Sequence, residues 1–140
     1  MTPSYVLDAW ALLAMLQKEE PAATRVKELL GEAQADNVSL AISIINLGEV
    51  VYRVGKVKGE SAAWETLAEL QRLPLEVLPV GEDLVWRAAS WKMHHTLSYA
   101  DAFAAAAAER LGAVLLTGDP ELTRLPTESV RVERLTRIRR

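Results

Sequence analysis

Four acids in this chain stand where carboxylates do chemistry. Asp8 follows the short apolar run Tyr5, Val6, Leu7, and Asp119 follows Ala113 to Thr117 and Gly118. Asp101 lies three residues after Ser98, a helix-capping residue type. These three have no neutralising base close by. Asp101 is followed at i+3 and i+4 by Ala104 and Ala105, Asp8 meets no base before Lys18, and Asp119 none before Arg124. Isolated acids at strand ends are suited to binding, because open parallel sheets take ligands beyond the carboxyl ends of their strands. Several such acids together call for a cation. For Asp8 alone, plain helix capping is the simpler reading.

Glu49 is the fourth acid. Ile44, Leu47, Val51 and Val54 form the main apolar stripe of its helix, and Glu49 points nearly opposite. Arg53 lies four residues on, so periodicity favours an exposed ion pair. Ile45 and Tyr52 flank Glu49, so that face is not plainly polar.

The elements that must position these residues alternate. Strands are expected over 5–7, 38–43, 75–80, 113–117 and 129–135. Helices are expected over 9–17, 22–35, 44–58, 61–72, 81–96, from Ser98 to the Gly112 stop, and over 119–125. Pro79 argues against a central place for the third strand. The run Ala104 to Ala108 favours helix and lets it lie close to a sheet. Alternation of this kind predicts a three-layer α/β/α sandwich with a parallel sheet of about five short strands. One domain spans 1–140, with a basic tail from about 136.

Composition narrows the functions. The chain has 140 residues, no cysteine and a formal net charge of −3. Disulfide scaffolds, thiolate zinc sites and cysteine nucleophiles are excluded. No global basic field announces nucleic acid. Asp8 interrupts the first apolar run, no basic region precedes it, and no stretch approaches membrane-spanning length, so a soluble cytoplasmic protein is expected. No Gly-rich nucleotide loop or Gly-x-Ser-x-Gly turn is present. His94 and His95 are adjacent and read as a polar helix end. The four tryptophans read as core or interface residues. The arginines at 131, 134, 137, 139 and 140 read as a solvated tail or as a phosphate-contacting strip, to which Lys56 and Lys58 would add.

Taken together, Val6-Leu7-Asp8-Ala9, Ser43 through Asn46 to Glu49, Leu97-Ser98 with Asp101-Ala102, and Leu116-Thr117-Gly118-Asp119 resemble the PIN domain. Length and spacing are most similar to the VapC ribonuclease toxins of toxin–antitoxin pairs. The resemblance implies a PIN-like sandwich that gathers Asp8, Glu49, Asp101 and Asp119 around Mg²⁺ or Mn²⁺ to cleave RNA. Under it, Asp8 and Asp101 are direct ligands. Glu49 and Asp119 act through water or a second ion. Ser43, Asn46 and Thr117 support the site, and Arg53, Lys56 and Lys58 contact RNA. A cognate antitoxin and a homodimer are implied as well. Glu121 and Leu122 replace a further aspartate and an aromatic carried by many relatives. The competing readings are a non-catalytic PIN-like module and a receiver-like signalling domain. The latter would need an aspartate at the end of the third strand and a lysine at the end of a later one, but this chain has Leu78-Pro79-Val80-Gly81 there and no lysine after Lys92.

Overall fold

The computed structural model describes residues 2–126 and 128–138. Five strands form one sheet in the order β3-β2-β1-β4-β5, and every pairing is parallel. They are β1 (Ser4–Leu7), β2 (Ser39–Ser43), β3 (Glu76–Leu78), β4 (Val114–Thr117) and β5 (Val132–Arg134). The helices are α1 (Ala9–Leu16), α2 (Ala22–Gln34), α3 (Ile44–Lys58), α4 (Glu60–Leu70), α5 (Glu82–His94), α6 (Tyr99–Leu111) and α7 (Pro120–Thr123). The three-layer sandwich read from the sequence is present. β3, with Pro79 just after it, lies at the sheet edge, where a missing N–H is tolerated. His94 closes α5 and His95 is its cap.

Strand side chains alternate between two cores. Val6, Ala41 and Leu115 pack with α5 and α6, whereas Leu7, Leu40, Ile42 and Leu116 pack with α1, α2 and α3. Strands covered on both faces explain their apolar sequences. α6 is held tightest: Ala104 to Ala108 are each no more than 1% exposed. Gly112 ends it with φ +61°, the left-handed conformation that glycine adopts without a Cβ penalty.

Two expectations change. The stripe Ile44, Leu47, Val51, Val54 is not the buried face of α3. That face is Asn46, Leu47 and Val50, while Ile44 is exposed. The helix start turns towards α6, where Asn46 Nδ2 donates to the Ala100 carbonyl at 2.9 Å, so a polar residue takes an inward position. Nor is the basic tail simply solvated. Ala22 N–H donates to Thr136 O (3.0 Å) and Ile138 N–H to Glu20 O (2.9 Å), fastening 136–138 to the α1–α2 connection. Arg139 and Arg140 lie outside the described residues.

β1 pairs with both β2 and β4, so the sheet changes winding direction between β1 and β4. That junction opens a crevice at the carboxyl ends of two neighbouring strands. The alanine face of α6 leaves no spare volume beneath it. Ala106→Leu is expected to lower stability by about 1–3 kcal/mol, read as a lower urea midpoint with an unchanged m-value.

Candidate metal centre

Asp8, Asp101 and Asp119 are each placed by the start of a helix. Asp8 caps α1: Ala11 N–H donates to Asp8 Oδ1 at 3.0 Å. Its other oxygen accepts a short hydrogen bond from the Thr117 hydroxyl. Thr117 Oγ1 in turn accepts from Asp119 N–H at 3.0 Å. The register sets Leu7 opposite Leu116, so the next residues, Asp8 and Thr117, meet across the strand ends. Asp119 caps α7 by accepting from Glu121 N–H at 2.8 Å. Asp101 lies in the first turn of α6, where Ser98 caps its N–H at 3.1 Å. Ser43 caps α3, accepting from Asn46 N–H at 3.2 Å, and its hydroxyl donates to Asn46 Oδ1 at 2.6 Å. Asn46 then reaches Ala100, next to Asp101. Ser43 and Asn46 are thus buried positioning residues that lock the α3 and α6 starts together.

These placements create a cavity of about 340 Å³. One face of α1 supplies Trp10 and Leu13, α3 supplies Glu49, Arg53 and Lys56, and Asp101 and Asp119 close the inner end. Carboxylate oxygens of Asp101, Asp119 and Glu121 all lie within 4.8 Å of one another. Asp8 stands behind them, 1% exposed, near enough to Asp119 and Glu49 for their charges to act on it. Glu49 points into the cavity and also accepts from Arg53 Nε at 3.0 Å. The ion pair and the site position therefore coexist.

The charges are uncomfortable. Burial pushes the Asp8 carboxyl up to about 7. The hydrogen bonds from Thr117 and Ala11 oppose the rise, and the negative charges of Asp119 and Glu49 add to it. Asp101 is also raised well above the usual carboxylate range. Burial is the main cause, followed by the charge and hydrogen bond of Asp119 and the charge of Asp8, against an opposing hydrogen bond from Ser98. A donor set of carboxylate oxygens alone suits a hard divalent cation. Such an ion would offset both the burial and the repulsion that raise these groups.

The oxygens that converge most closely are those of Asp101, Asp119 and Glu121, so of the four expected acids Asp8 and Glu49 lie outside this group. Asp8, expected as a direct ligand, has both oxygens engaged by Ala11 and Thr117. Glu121, the departure from the family pattern, joins Asp101 and Asp119 instead. Lys58, at the exposed end of α3, does not line the cavity, whereas Arg53 and Lys56 do. Trp10, read only as a core or interface residue, lines it, and so does Arg137, one of the C-terminal arginines read as a solvated tail or a phosphate-contacting strip. Among the tryptophans only Trp91 belongs to the core, while Trp64 and Trp86 are exposed. Gly118 explains the seat of Trp10, since a Cβ there would lie 2.4 Å from the indole ring.

The PIN domain sequence profile matches residues 5–128. No curated protein matches the sequence. Solved structures share the fold, among them these three. VapBC2 from Rickettsia felis, bound to a promoter DNA fragment, is 20% identical with a TM-score of 0.74, over 95% of this chain and 99% of that one. A toxin–antitoxin complex from Klebsiella pneumoniae is 18% identical with a TM-score of 0.68, over 96% and 99%. VapC20 from Mycobacterium tuberculosis, a sarcin–ricin loop cleaving toxin, is 20% identical with a TM-score of 0.67, over 85% and 92%.

A raised carboxyl binds its proton more tightly folded than unfolded, so ionising it costs stability. For Asp8 the ordinary value is 3.8 and the folded value about 7. The cost is absent below the first, grows between them, and is complete above the second. It is bounded at on the order of 4 kcal/mol. Metal-free protein is expected to melt at a higher temperature at pH 6 than at pH 8. Asp8→Asn is expected to flatten that difference and to be the more stable protein at pH 8, as measured by calorimetry in EDTA.

Proposed function

The chain belongs to the PIN-domain family, and from that membership we propose that it is a divalent-metal-dependent endoribonuclease, the toxin of a VapBC-type toxin–antitoxin pair acting in the cytoplasm. The observation that carries the reading is the cavity at the β1/β4 junction, where Asp101 and Asp119 meet with the buried Asp8 behind them and, among the described residues, no lysine or arginine head hydrogen-bonds to any of the three. PIN domains are generally nucleases, and this donor set fits their metal requirement.

Asp101, Asp119 and Glu121 would hold Mg²⁺ or Mn²⁺, with Asp8 and Glu49 completing the negative surroundings. Such an ion supplies a bound water of lowered pKa and neutralises charge on the phosphate. The chain's own residues do the rest. Asp8 fixes the Thr117 hydroxyl, which fixes the Asp119 N–H and so aims the α7 acids. Ser43 and Asn46 hold the backbone next to Asp101. Arg53 neutralises Glu49 on one wall, and Lys56 beside it offers a cation to the RNA backbone.

An antitoxin partner and a homodimer belong to the same reading. An apolar groove between α3 and α4, lined by Leu47, Val51, Tyr52, Trp64 and Leu67, supports a protein partner, as does the likeness to toxin–antitoxin complexes. Among the described residues no helix is long and apolar enough to cross a membrane.

The purified chain is expected to cleave RNA with Mg²⁺ or Mn²⁺ and to stop in excess EDTA. Asp101→Ala is expected to lose on the order of a hundredfold or more of the rate and to abolish the metal-induced rise in melting temperature. Full activity in EDTA, or in Asp101→Ala, overturns the reading.

A further inference from the structure

Beyond Trp10 the crevice continues into a second cavity of about 290 Å³, on the β5 side, lined by Gly118, Arg134, Thr136 and Arg137. Trp10 and Arg137 belong to both cavities. The Arg137 guanidinium lies over the Trp10 ring, 5.0 Å from its centroid. Its Nη1 donates to Glu19 Oε1 at 2.8 Å. Among the described residues that is its one hydrogen bond, so most of its five N–H donors remain available. The backbone beneath it is fixed by the bridge to Pro21 and by the Ala22 and Ile138 hydrogen bonds. Arg134 is exposed at the end of β5 and makes no ion pair among the described residues.

This is more structure than a loose tail requires. A guanidinium clamped by a carboxylate and an aromatic face has lost its rotamer freedom before any ligand arrives, and a planar fork suits phosphate. Its side of the site matters too. Arg53 and Lys56 enter from α3, which follows β2. Arg137 enters from the opposite flank, beyond β4 and β5. A strand crossing the acids would meet cations on both sides. We propose that the β5-side cavity is a phosphate subsite for the nucleotide adjoining the cleaved linkage, with Arg137 and Arg134 contacting that phosphate. The assignment rests on the ribonuclease reading above.

The test is steady-state cleavage of a single-stranded oligoribonucleotide at several salt concentrations, with metal-induced melting shifts measured alongside. Arg137→Gln is expected to raise KM about tenfold, within the range for losing a charged contact, with kcat changed by no more than about threefold. It is expected to flatten the salt slope by about 1 and to leave the metal-induced shift intact. Arg134→Gln should act in the same direction, and Arg137→Lys should recover part of the loss because it keeps the charge. Arg110→Gln removes an equal charge from the far end of α6 and controls for net charge. Glu19→Gln breaks the same ion pair but keeps the guanidinium, so it should lose less than Arg137→Gln. If Arg137→Gln matches Arg110→Gln, or Glu19→Gln reproduces its whole defect, the subsite is refuted and Arg137 merely fastens the tail. If the unsubstituted chain shows no metal-dependent cleavage, the ribonuclease reading and the subsite fall together.

Discussion

Burying like charges side by side is the constraint that the rest of this molecule answers to. Each acid is given the best local support a backbone can provide. Asp8 and Asp119 are helix N-caps, and Asp101 sits in a helix first turn. A helix start favours negative charge by about 0.3–1 kcal/mol, and each cap satisfies a backbone N–H that would otherwise lack a partner. That is less than burial costs, since Asp8 and Asp101 remain raised above the ordinary range. The fold therefore holds a geometry that its own chain does not fully stabilise, and the deficit has the sign a cation corrects.

The rigidity needed to hold that geometry comes from outside the site. Two apolar cores cover the sheet on both faces, and the alanine face of α6 brings Asp101 close to the strand ends. The Ser43–Asn46–Ala100 chain ties α3 to α6, and the Asp8–Thr117–Asp119 chain ties β1 to β4. The site is thus built by joining neighbours in space that are far apart in sequence, and each joint is a buried or part-buried hydrogen bond. Buried networks of this kind specify a unique arrangement when every member is satisfied. No buried side-chain polar atom among the described residues lacks a partner.

What could be read in the sequence was local. Ser98 before Asp101, Gly112 after the alanines, Pro79 at an edge strand and apolar strands alternating with helices each carry a short-range cause. Legibility failed where a residue's role depends on a distant partner. The period of α3 suggested the wrong face because its first turn is buried through Asn46 against α6, leaving Ile44 outside. Glu49 looked like half of an ordinary surface pair, and it is paired; that it also faces the cavity follows from the α1–α3 packing, which periodicity does not encode. Glu121 had a signal, two residues past Asp119 and behind Pro120 at a helix start, but a glutamate in a four-residue helix is common. Arg137 had none beyond charge, since its position over Trp10 depends on a backbone bridge to Pro21.

Trp10 shows how such features combine. Its ring fits only because Gly118 has no Cβ, so the residue between Thr117 and Asp119 is limited by packing as well as by the turn. The opposite use of the same ring is to carry Arg137. One aromatic side chain therefore links the loop bearing Asp119 to a cation on the far flank, and displacement of either is felt by the other. The three cavity acids Glu49, Asp101 and Asp119 face three cations, Arg53, Lys56 and Arg137, but the two sets are not interchangeable. Asp101 and Asp119 sit at the closed inner end, where burial strengthens their mutual repulsion, and the cations stand on the walls, Arg53 paired there with Glu49. A polyanion approaching this crevice is drawn by the walls and repelled by the floor. On the proposed reading, a divalent ion on the floor would turn that repulsion into attraction, and walls and floor would then draw a phosphate backbone together.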